Sequence, residues 1–223
     1  MVTPTPRILV TGFDPFGGAA LNPSWLVAQA LHGQRIAGHT VEAARLPTVF
    51  GLSAQRLGTL LEQHRPALVL CLGLAAGRAA LSLERVAINV NDARIPDNHG
   101  AQPVDGPVVD GGPAAYFSNL PVKAMLQAIR NEGVAAELSN SAGTFVCNHV
   151  FYALMHQLAV QPGLRAARGG FVHLPCLPEQ AAALSAPVGM GLADMVRGLQ
   201  AGLQAALEHG AARDLQIAAG STQ

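Results

Sequence analysis

The sequence predicts an α/β/α sandwich, in which helices cover both faces of a mostly parallel, twisted sheet. Short apolar runs of the kind found in buried parallel strands alternate along the chain with amphipathic stretches of helical length. Half of the 223 residues are hydrophobic and only 13% are charged, a composition typical of a compact fold. Because a chain of this length supports one well-buried core, we expect a single domain over residues 1–223.

The first half of the chain has a βαβ rhythm. Asn22 as N-cap and Pro23 at the first helical position predict a helix that ends near Leu31. The other predicted elements of this half are strands over residues 7–12, 41–46 and 67–72, a helix over 52–64, and a strand of an exposed or antiparallel kind over 83–90.

A long segment over residues 91–113, dense in Asp, Asn, Gly and Pro, is predicted to be a loop. Loops of this length inside a compact domain are usually functional, so we expect a lid, a binding segment or a subunit contact. The elements predicted after it are helices over 121–131, 147–158 and 191–209, and strands over 135–138 and 171–174.

The overall charge and the cysteine content limit the classes of protein to consider. Fourteen basic and fourteen acidic side chains give a formal net charge of zero, which argues against binding to nucleic acid or to an anionic membrane surface. No apolar run approaches transmembrane length, and residues 1–7 carry no secretion signal. Three widely spaced cysteines without a CxxC pair indicate reduced thiols, so we expect a cytoplasmic protein that acts on a small ligand.

Cys147 is the strongest candidate for a nucleophile. A glycine-bearing turn within residues 141–149 delivers it to the predicted start of a helix, where the helix end is expected to lower the thiol pKa and free N–H groups can hold an oxyanion. A Cys-x5-Arg phosphatase loop is excluded because position 153 is Ala. Cys71, inside an apolar strand, and Cys176, between prolines, are predicted to be inert.

A cysteine nucleophile needs a base, and His173 ends a short apolar run that predicts a buried strand. Glu84 offers a carboxylate to orient it, although His173 could also be a core histidine with structural partners only. His149 and His156 are seven residues apart, about 10 Å along a helix, whereas a helical metal chelate needs residues four apart. No metal site is therefore predicted.

Two further features have both a structural and a functional interpretation. Arg94 lies in a polar segment over residues 92–98, which could be a plain turn or could hold a fixed cation facing an oxyanion. Phe13 and Phe16 could pack in the core or contact a ligand. Neither GxGxxG nor GxxxxGK[ST] is present, so no nucleotide cofactor is predicted.

Taken together, the motifs resemble those of the pyroglutamyl-peptidase I family, the pyrrolidone carboxyl peptidases, which are cytosolic cysteine peptidases that remove N-terminal pyroglutamate. The resemblance runs in the right order over about residues 7–180. Its motifs are TGFDPFGG at 11–18, NPS at 22–24, GR at 77–78, ERVAIN at 84–89, RIPDN at 94–98, QP at 102–103, AGT at 142–144, CN at 147–148 and HLP at 173–175.

The resemblance implies a role for each of the polar candidates. Cys147 would be the nucleophile, His173 the general base and acid, and Glu84 the carboxylate that orients His173. Arg94 and main-chain N–H groups near Cys147 would serve the oxyanion. The family relationship also implies a homotetramer that needs no metal and no cofactor.

The same resemblance implies a substrate pocket. Phe13, Phe16 and Phe145 would wall the pyrrolidone ring. Leu74 stands where the family often has Gln, after the glycine that ends the third strand. If that position holds the lactam through its backbone, the change is tolerated, whereas a side-chain role would alter substrate affinity.

The expected function is therefore that of an omega-peptidase that cleaves pyroglutamyl-X bonds through a thioester acyl-enzyme. Two alternatives remain open: a redox or stress-sensing α/β protein that oxidises Cys147, and a catalytically silent binding module. Hydrolysis of a fluorogenic pyroglutamyl amide separates the three.

Overall fold

A seven-stranded sheet forms the centre of the computed structural model, which describes residues 5–185, 188–210 and 214–220. The strands lie in the spatial order β2, β3, β1, β4, β9, β5, β8. In chain order they are β1 (Arg7–Phe13), β2 (Arg35–Ile36), β3 (His39–Leu46), β4 (Leu68–Leu74), β5 (Leu81–Glu84), β8 (Ala136–Ser139) and β9 (Arg168–Leu174). A separate two-stranded sheet pairs β6 (Val86–Ile88) with β7 (Ala115–Phe117).

Most of the pairings in the main sheet are parallel. Strands β3, β1, β4 and β9 run in one direction, whereas β5 and β8 run parallel to each other and antiparallel to β9. The short β2 forms an antiparallel pair with β3. The predicted mostly parallel sheet is confirmed, and its reversed edge brings the end of β5 beside the middle of β9.

Five helices cover the two faces of this sheet: α1 (Pro23–Leu31), α2 (Leu52–His64), α3 (Val122–Asn131), α4 (Val146–Val160) and α5 (Leu192–His209). Alternate residues of each strand face opposite ways, so Leu70 packs in the cluster with α1, α3 and α5, and Val69 in the cluster with α2 and α4. The predicted α/β/α sandwich is confirmed. Within the described ranges, no helix is both long and apolar enough to cross a membrane.

The β1–α1 connection is fixed by short-range contacts. The side chain of Asn22 accepts hydrogen bonds from the N–H and the hydroxyl of Ser24, and Pro23 is the first helical residue, as predicted. The Ser24 hydroxyl also accepts from the N–H of Phe13 at 2.9 Å. A Cβ atom on Gly12 would lie 2.3 Å from the carbonyl oxygen of Ser24, so only glycine permits this approach. The loop after β1 is thereby held against the start of α1.

The single strand predicted over residues 83–90 is wrong. The chain leaves the main sheet after Glu84, and Arg85 uses its N–H to donate to Ser139 and its carbonyl to accept from Ser118. The next residues form β6 in the second sheet. Because apolar alternation is the same on both sides of Arg85, the sequence pattern did not mark this break.

The segment between β6 and β7 contains no further helix or strand in the described chain, as the sequence predicts, but it is closely hydrogen-bonded. Asn91 and Gly106 form an isolated antiparallel bridge. The side-chain oxygen of Asn89 accepts from the N–H groups of Val108 and Val109, and its amide donates to the carbonyl of Val109. These two asparagines give the long loop a defined shape.

Candidate active site

Cys147 is the second residue of α4. Gly143, in the turn before the helix, has a φ of 78°, a conformation that favours glycine. Phe145 is the N-cap residue in an extended conformation, and no side chain in the described part of the chain caps the first turn. The half-buried thiol therefore lies at a helix start whose N–H groups lack a side-chain acceptor, as the sequence predicts.

His173 and Glu84 meet across the antiparallel pair of β9 and β5. The register places Glu84 opposite Phe171, two residues from His173 and on the same face of the sheet. The Nδ1 atom of His173 lies 2.8 Å from Oε1 of Glu84. The side chains are buried, with relative exposures of 4% for His173 and 0% for Glu84. Because the carboxylate accepts the Nδ1 hydrogen, Nε2 is left as the basic nitrogen.

Gly73 explains how the thiol reaches this pair. It lies on β4 directly opposite His173. A Cβ atom on Gly73 would be 2.8 Å from Sγ of Cys147 and 2.8 Å from the ring of Phe171. The absent side chain thus makes room for the thiol beside the strand that carries His173.

Arg78 is a further part of this cluster that received no role from the sequence. Its Nη1 atom donates to Oε1 of Glu84 at 2.6 Å, and Nη2 donates to the carbonyl of Ser141 at 3.1 Å. Oε2 of Glu84 has no hydrogen-bond partner in the described chain. The GR motif at residues 77–78 was the available sequence signal for Arg78. The distance along the chain from this motif to Glu84 and Ser141 gives no indication that their side chain and main chain meet Arg78.

Burial controls the ionisation of the thiol and the imidazole. It raises the pKa of Cys147 to about 12, and the charge of Glu84 acts in the same direction, whereas that of Arg78 opposes it. Burial also lowers the pKa of His173, against the effect of its bond to Glu84. The predicted net lowering of the Cys147 pKa is therefore wrong, because burial raises it and is the largest influence on the thiol. Both groups are neutral at pH 7.

Three aromatic rings form a cluster next to Cys147. The ring centroid of Phe145 lies 5.3 Å from that of Phe16 and 5.3 Å from that of Phe50. Phe13 is only 2% exposed and packs in the hydrophobic cluster beneath them. Phe50 was missed in the sequence, where it stands in the short connection between β3 and α2.

Carboxylate side chains tie the loops around this aromatic cluster. Asp14 accepts from the N–H and the hydroxyl of Thr48 at 2.7 and 2.6 Å. Asp97 accepts from the N–H of Phe50 at 2.9 Å, and backbone donors of this kind lower the pKa of Asp97 against the opposing effect of burial. The loops after β1 and β3 and the long loop are thus fixed to one another.

Arg94 and Leu74 are connected to the site through neighbouring residues rather than through their own side chains. Arg94 is exposed, and its side chain makes no hydrogen bond or ion pair within residues 5–185, 188–210 and 214–220. Its segment is nevertheless attached to the turn before Cys147, because the N–H and carbonyl of Asp92 bond to the carbonyl and hydroxyl of Thr144. Leu74 is half-buried at the end of β4, next to Gly73.

His149 is a second residue without a predicted role. Its Nε2 accepts from the N–H of Gly51 at 3.1 Å, so Nδ1 carries the hydrogen and donates to Oδ1 of Asn91 at 3.0 Å. Burial lowers its pKa to about 4, which keeps the ring neutral. Its ring packs edge-on against Phe50. His149 therefore joins α4 to two of the loops around the aromatic cluster.

Comparison with known proteins identifies the family. The chain matches the pyroglutamyl peptidase family model over residues 6–209. The chain belongs to the pyroglutamyl peptidase family. It is 55% identical to the pyrrolidone-carboxylate peptidase of Gloeobacter violaceus over 194 residues, which cover 87% of this chain and 93% of that protein. It is 52% identical to the one from Streptomyces coelicolor over 217 residues, covering 97% and 99% of the two chains.

Solved structures of pyroglutamyl peptidases share the fold. The crystal structure of pyroglutamyl peptidase I from Bacillus amyloliquefaciens matches with a TM-score of 0.90 at 41% identity, and the match covers 96% of this chain and 100% of that chain. The family resemblance that the sequence motifs indicate is confirmed.

The remaining cysteines of this pyroglutamyl peptidase family member are buried. Cys71 lies on β4, where burial raises its pKa to about 12. Cys176 follows β9 and is fully buried. In the described residues, no group of three or more His, Cys, Asp or Glu side chains is arranged to hold a metal ion.

Proposed function

We propose that this chain removes N-terminal pyroglutamate from peptides, with Cys147 as nucleophile, His173 as general base and acid, and Glu84 as the carboxylate that orients His173. One observation carries the proposal: the thiol of Cys147 occupies the space over Gly73, which lies opposite His173 in the sheet. The Nδ1 atom of His173 in turn bonds to the buried Glu84. A nucleophile, a base and an orienting group in this order are the parts that acyl transfer requires.

The first half of the reaction forms a thioester. Since Cys147 and His173 are both neutral at rest, the thiol proton moves to Nε2 of His173 as Sγ attacks the pyroglutamyl carbonyl carbon. Collapse of the tetrahedral intermediate breaks the C–N bond, and His173 returns the proton to the leaving amine. Glu84 stabilises the transient imidazolium through its bond to Nδ1.

The second half releases pyroglutamate. A water molecule gives a proton to His173 and attacks the thioester carbonyl, the C–S bond breaks, and Cys147 recovers its proton. Main-chain N–H groups in the first turn of α4 hold the oxyanion in both halves, because no side chain of the described residues caps this helix end and its donors lie beside Sγ. Arg94 adds a positive charge to this site.

Substrate recognition uses the aromatic cluster and the main chain. Phe16 and Phe145, with Phe13 beneath them, enclose the flat pyrrolidone ring. The backbone at Leu74 holds the lactam, because it follows Gly73 and therefore lies close to the thiol. Apolar walls alone select a ligand by its shape, so these polar contacts distinguish pyroglutamate from other rings of similar shape.

Hydrolysis of a fluorogenic pyroglutamyl amide tests the proposed function. We expect the purified chain to release the fluorophore and the Cys147→Ala variant to release none. Oxidation of Cys147 by peroxide without any amide hydrolysis would instead support a redox sensor, and pyroglutamyl peptide binding without turnover a binding module. Either result would contradict the proposed function.

The family resemblance also leads us to propose a homotetramer of one-domain subunits in the cytoplasm. Sedimentation equilibrium of the purified chain measures its mass in solution. The mass of four chains is expected, and the mass of one chain would contradict the assembly.

A further inference from the structure

One cation contacts both the orienting carboxylate and the segment that leads to the nucleophile. Arg78 lies between β4 and β5, where its own N–H donates to the carbonyl of Ala75 at 2.9 Å. Its guanidinium donates to Glu84 Oε1 at 2.6 Å and to the carbonyl of Ser141 at 3.1 Å. Ser141 precedes Cys147 by six residues, in the turn before α4.

We propose that Arg78 is a positioning residue of the peptidase reaction, whose guanidinium holds the Glu84 carboxylate and the turn before Cys147 in a fixed relation. This inference deepens the proposed function and rests on it. Arg78 acts on the reaction indirectly, through Glu84 and the turn before Cys147.

The carboxylate geometry supports this role. Glu84 is completely buried, and a buried charge requires a partner of opposite sign. His173 is neutral at rest, so Arg78 supplies that charge. Arg78 and His173 both donate to Oε1, whereas Oε2 has no partner in the described residues. The two donors together fix the rotation of the carboxylate, and loss of Arg78 would leave one bond to hold it.

The contact with Ser141 connects Arg78 to the segment that leads to the nucleophile. Ser141 is exposed and part of the connection between β8 and α4, and the guanidinium bonds to its main-chain carbonyl. The planar guanidinium presents one donor to the carboxylate and another to this carbonyl from two separate nitrogens, which favours Arg over Lys with its single nitrogen. The positions of Glu84 and of the turn are therefore coupled through one side chain.

The charge of Arg78 also acts on the reacting pair. It lowers the pKa of Cys147 and the pKa of His173. Glu84 raises both, and Cys71 adds a further increase at Cys147. Because removal of a cation favours proton binding at every nearby group, both pKa values rise when Arg78 is neutralised.

The test compares Arg78→Gln and Arg78→Lys with the control Arg197→Gln, which removes an exposed arginine paired with Asp194 on α5. Arg78→Gln is expected to lower kcat/KM by about 10- to 100-fold, the scale known for groups that orient metal ligands. Its bell-shaped pH profile should move to higher pH by about half a unit to one unit. Arg78→Lys keeps the charge, so it should lose activity without moving the profile, and Arg197→Gln should match the wild type.

A substrate-independent measurement separates this inference from the proposed function. The pH dependence of the rate at which iodoacetamide alkylates Cys147, followed by peptide mapping, reports the thiol pKa even if no amide is hydrolysed. We expect that pKa to be higher in Arg78→Gln than in the wild type. If Arg78→Gln does not fold, two measurements take its place. One is the activity of Arg78→Lys, and the other is whether added guanidinium restores activity to Arg78→Ala. Wild-type kcat/KM and an unmoved pH profile in the folded variants would overturn the inference.

Discussion

The neutral state of Cys147 and His173 sets the chemistry at the level of single residues. Burial keeps the proton on the thiol, with a pKa of about 12, and also disfavours the imidazolium. The thiol is therefore protonated at rest. The proton has to move to His173 as the substrate carbonyl accepts the sulfur, which makes the orientation of His173 by Glu84 important for the rate.

The division of roles between His173 and Glu84 gives the first prediction. Glu84→Gln should keep measurable activity, because an amide can still accept the Nδ1 hydrogen, whereas His173→Ala should nearly abolish kcat by removing the base. Steady-state kinetics on a pyroglutamyl amide compare the two variants. Full activity in His173→Ala would refute the assignment, and equal, complete loss in both would contradict the separate roles.

Arg94 gives the second prediction. Because its side chain is exposed, an effect of its removal on kcat can be separated from an effect on stability. Arg94→Ala should lower kcat by roughly 10²–10³, about 3–4 kcal/mol, the scale for one oxyanion donor. Thermal unfolding should be unchanged, because the side chain makes no hydrogen bond or ion pair in the described chain. If kcat is unchanged, the segment over residues 92–98 is a structural turn only.

The sequence predicted the reactive residues better than their partners. A glycine turn before a helix indicates Cys147, and the end of a buried strand indicates His173, because both signals are local. Arg78 joins Glu84 to Ser141, and Ser141 lies 63 residues after Arg78 in the chain. No local pattern reports such a contact, because it depends on how β5 and the turn before α4 pack.

At the scale of elements, the direction of the strands was only partly predicted. The partial alternation over residues 83–90 predicts a strand of an exposed or antiparallel kind, whereas the short run over residues 135–138 gives no direction, because its periodicity is the same whichever way the strand runs. The structure reverses both relative to β9. In the reversed strand, the register places Glu84 opposite Phe171 and on the same face as His173. The unpredicted strands β2 and β7 have two and three residues, too few for a pattern.

The attachment of α4 to its neighbouring loops gives the third prediction. The His149 pKa of about 4 lies below the ordinary 6.5, so the unfolded chain binds the proton first as the pH falls. Stability from His149 is therefore complete above pH 6.5 and is lost as the pH falls toward 4, by about 3 kcal/mol at pH 4. In the described chain, the ring bonds to Gly51 and Asn91 and packs against Phe50, none of which carries a charge.

Urea unfolding of the wild type and His149→Gln between pH 7 and pH 4 measures this effect. The difference between the two proteins isolates His149 from the other groups that titrate in this range. The wild type should lose more of its unfolding free energy than the variant as the pH falls. Parallel losses in both proteins would contradict the role of a buried, neutral His149.

At the scale of the whole molecule, the pocket is assembled from distant parts of the chain. Phe16, Phe50 and Phe145 come from three separate connections. Asp14 binds the connection of Phe16 to that of Phe50, and Asp97 binds the long loop to Phe50. The family motifs indicated Phe16 and Phe145, but Phe50 joins them only in the folded chain. The long loop was predicted as a loop, whereas its attachment to the pocket through Asp97 required the structure.

Substrate discrimination gives the fourth prediction. A prolyl substrate lacks the lactam carbonyl and carries a charged ring amine, which leaves buried polar groups unpaired and can cost a factor of roughly 10⁴–10⁵. We expect vanishing activity on prolyl amides. Leu74→Gln should change kcat/KM little, because the backbone at that position is the same in both proteins.

Comparing kcat/KM for pyroglutamyl and prolyl coumarin amides in the wild type and in Leu74→Gln decides this point. Comparable rates on the two substrates would defeat the pocket proposal. A large gain on the pyroglutamyl amide in Leu74→Gln would show that the side chain at this position, rather than the main chain, contacts the lactam.

The central claim is that the chain transfers a pyroglutamyl group to Cys147. Rapid acid quenching of the enzyme during turnover of a pyroglutamyl amide, followed by mass analysis of its peptides, detects the thioester directly. We predict that one pyroglutamyl group is attached to the Cys147 peptide, with Cys71 and Cys176 unmodified, and that Cys147→Ser loses orders of magnitude in kcat while Cys71→Ser and Cys176→Ser stay active. A label on Cys71 or Cys176, or turnover that persists in Cys147→Ala, would contradict the claim.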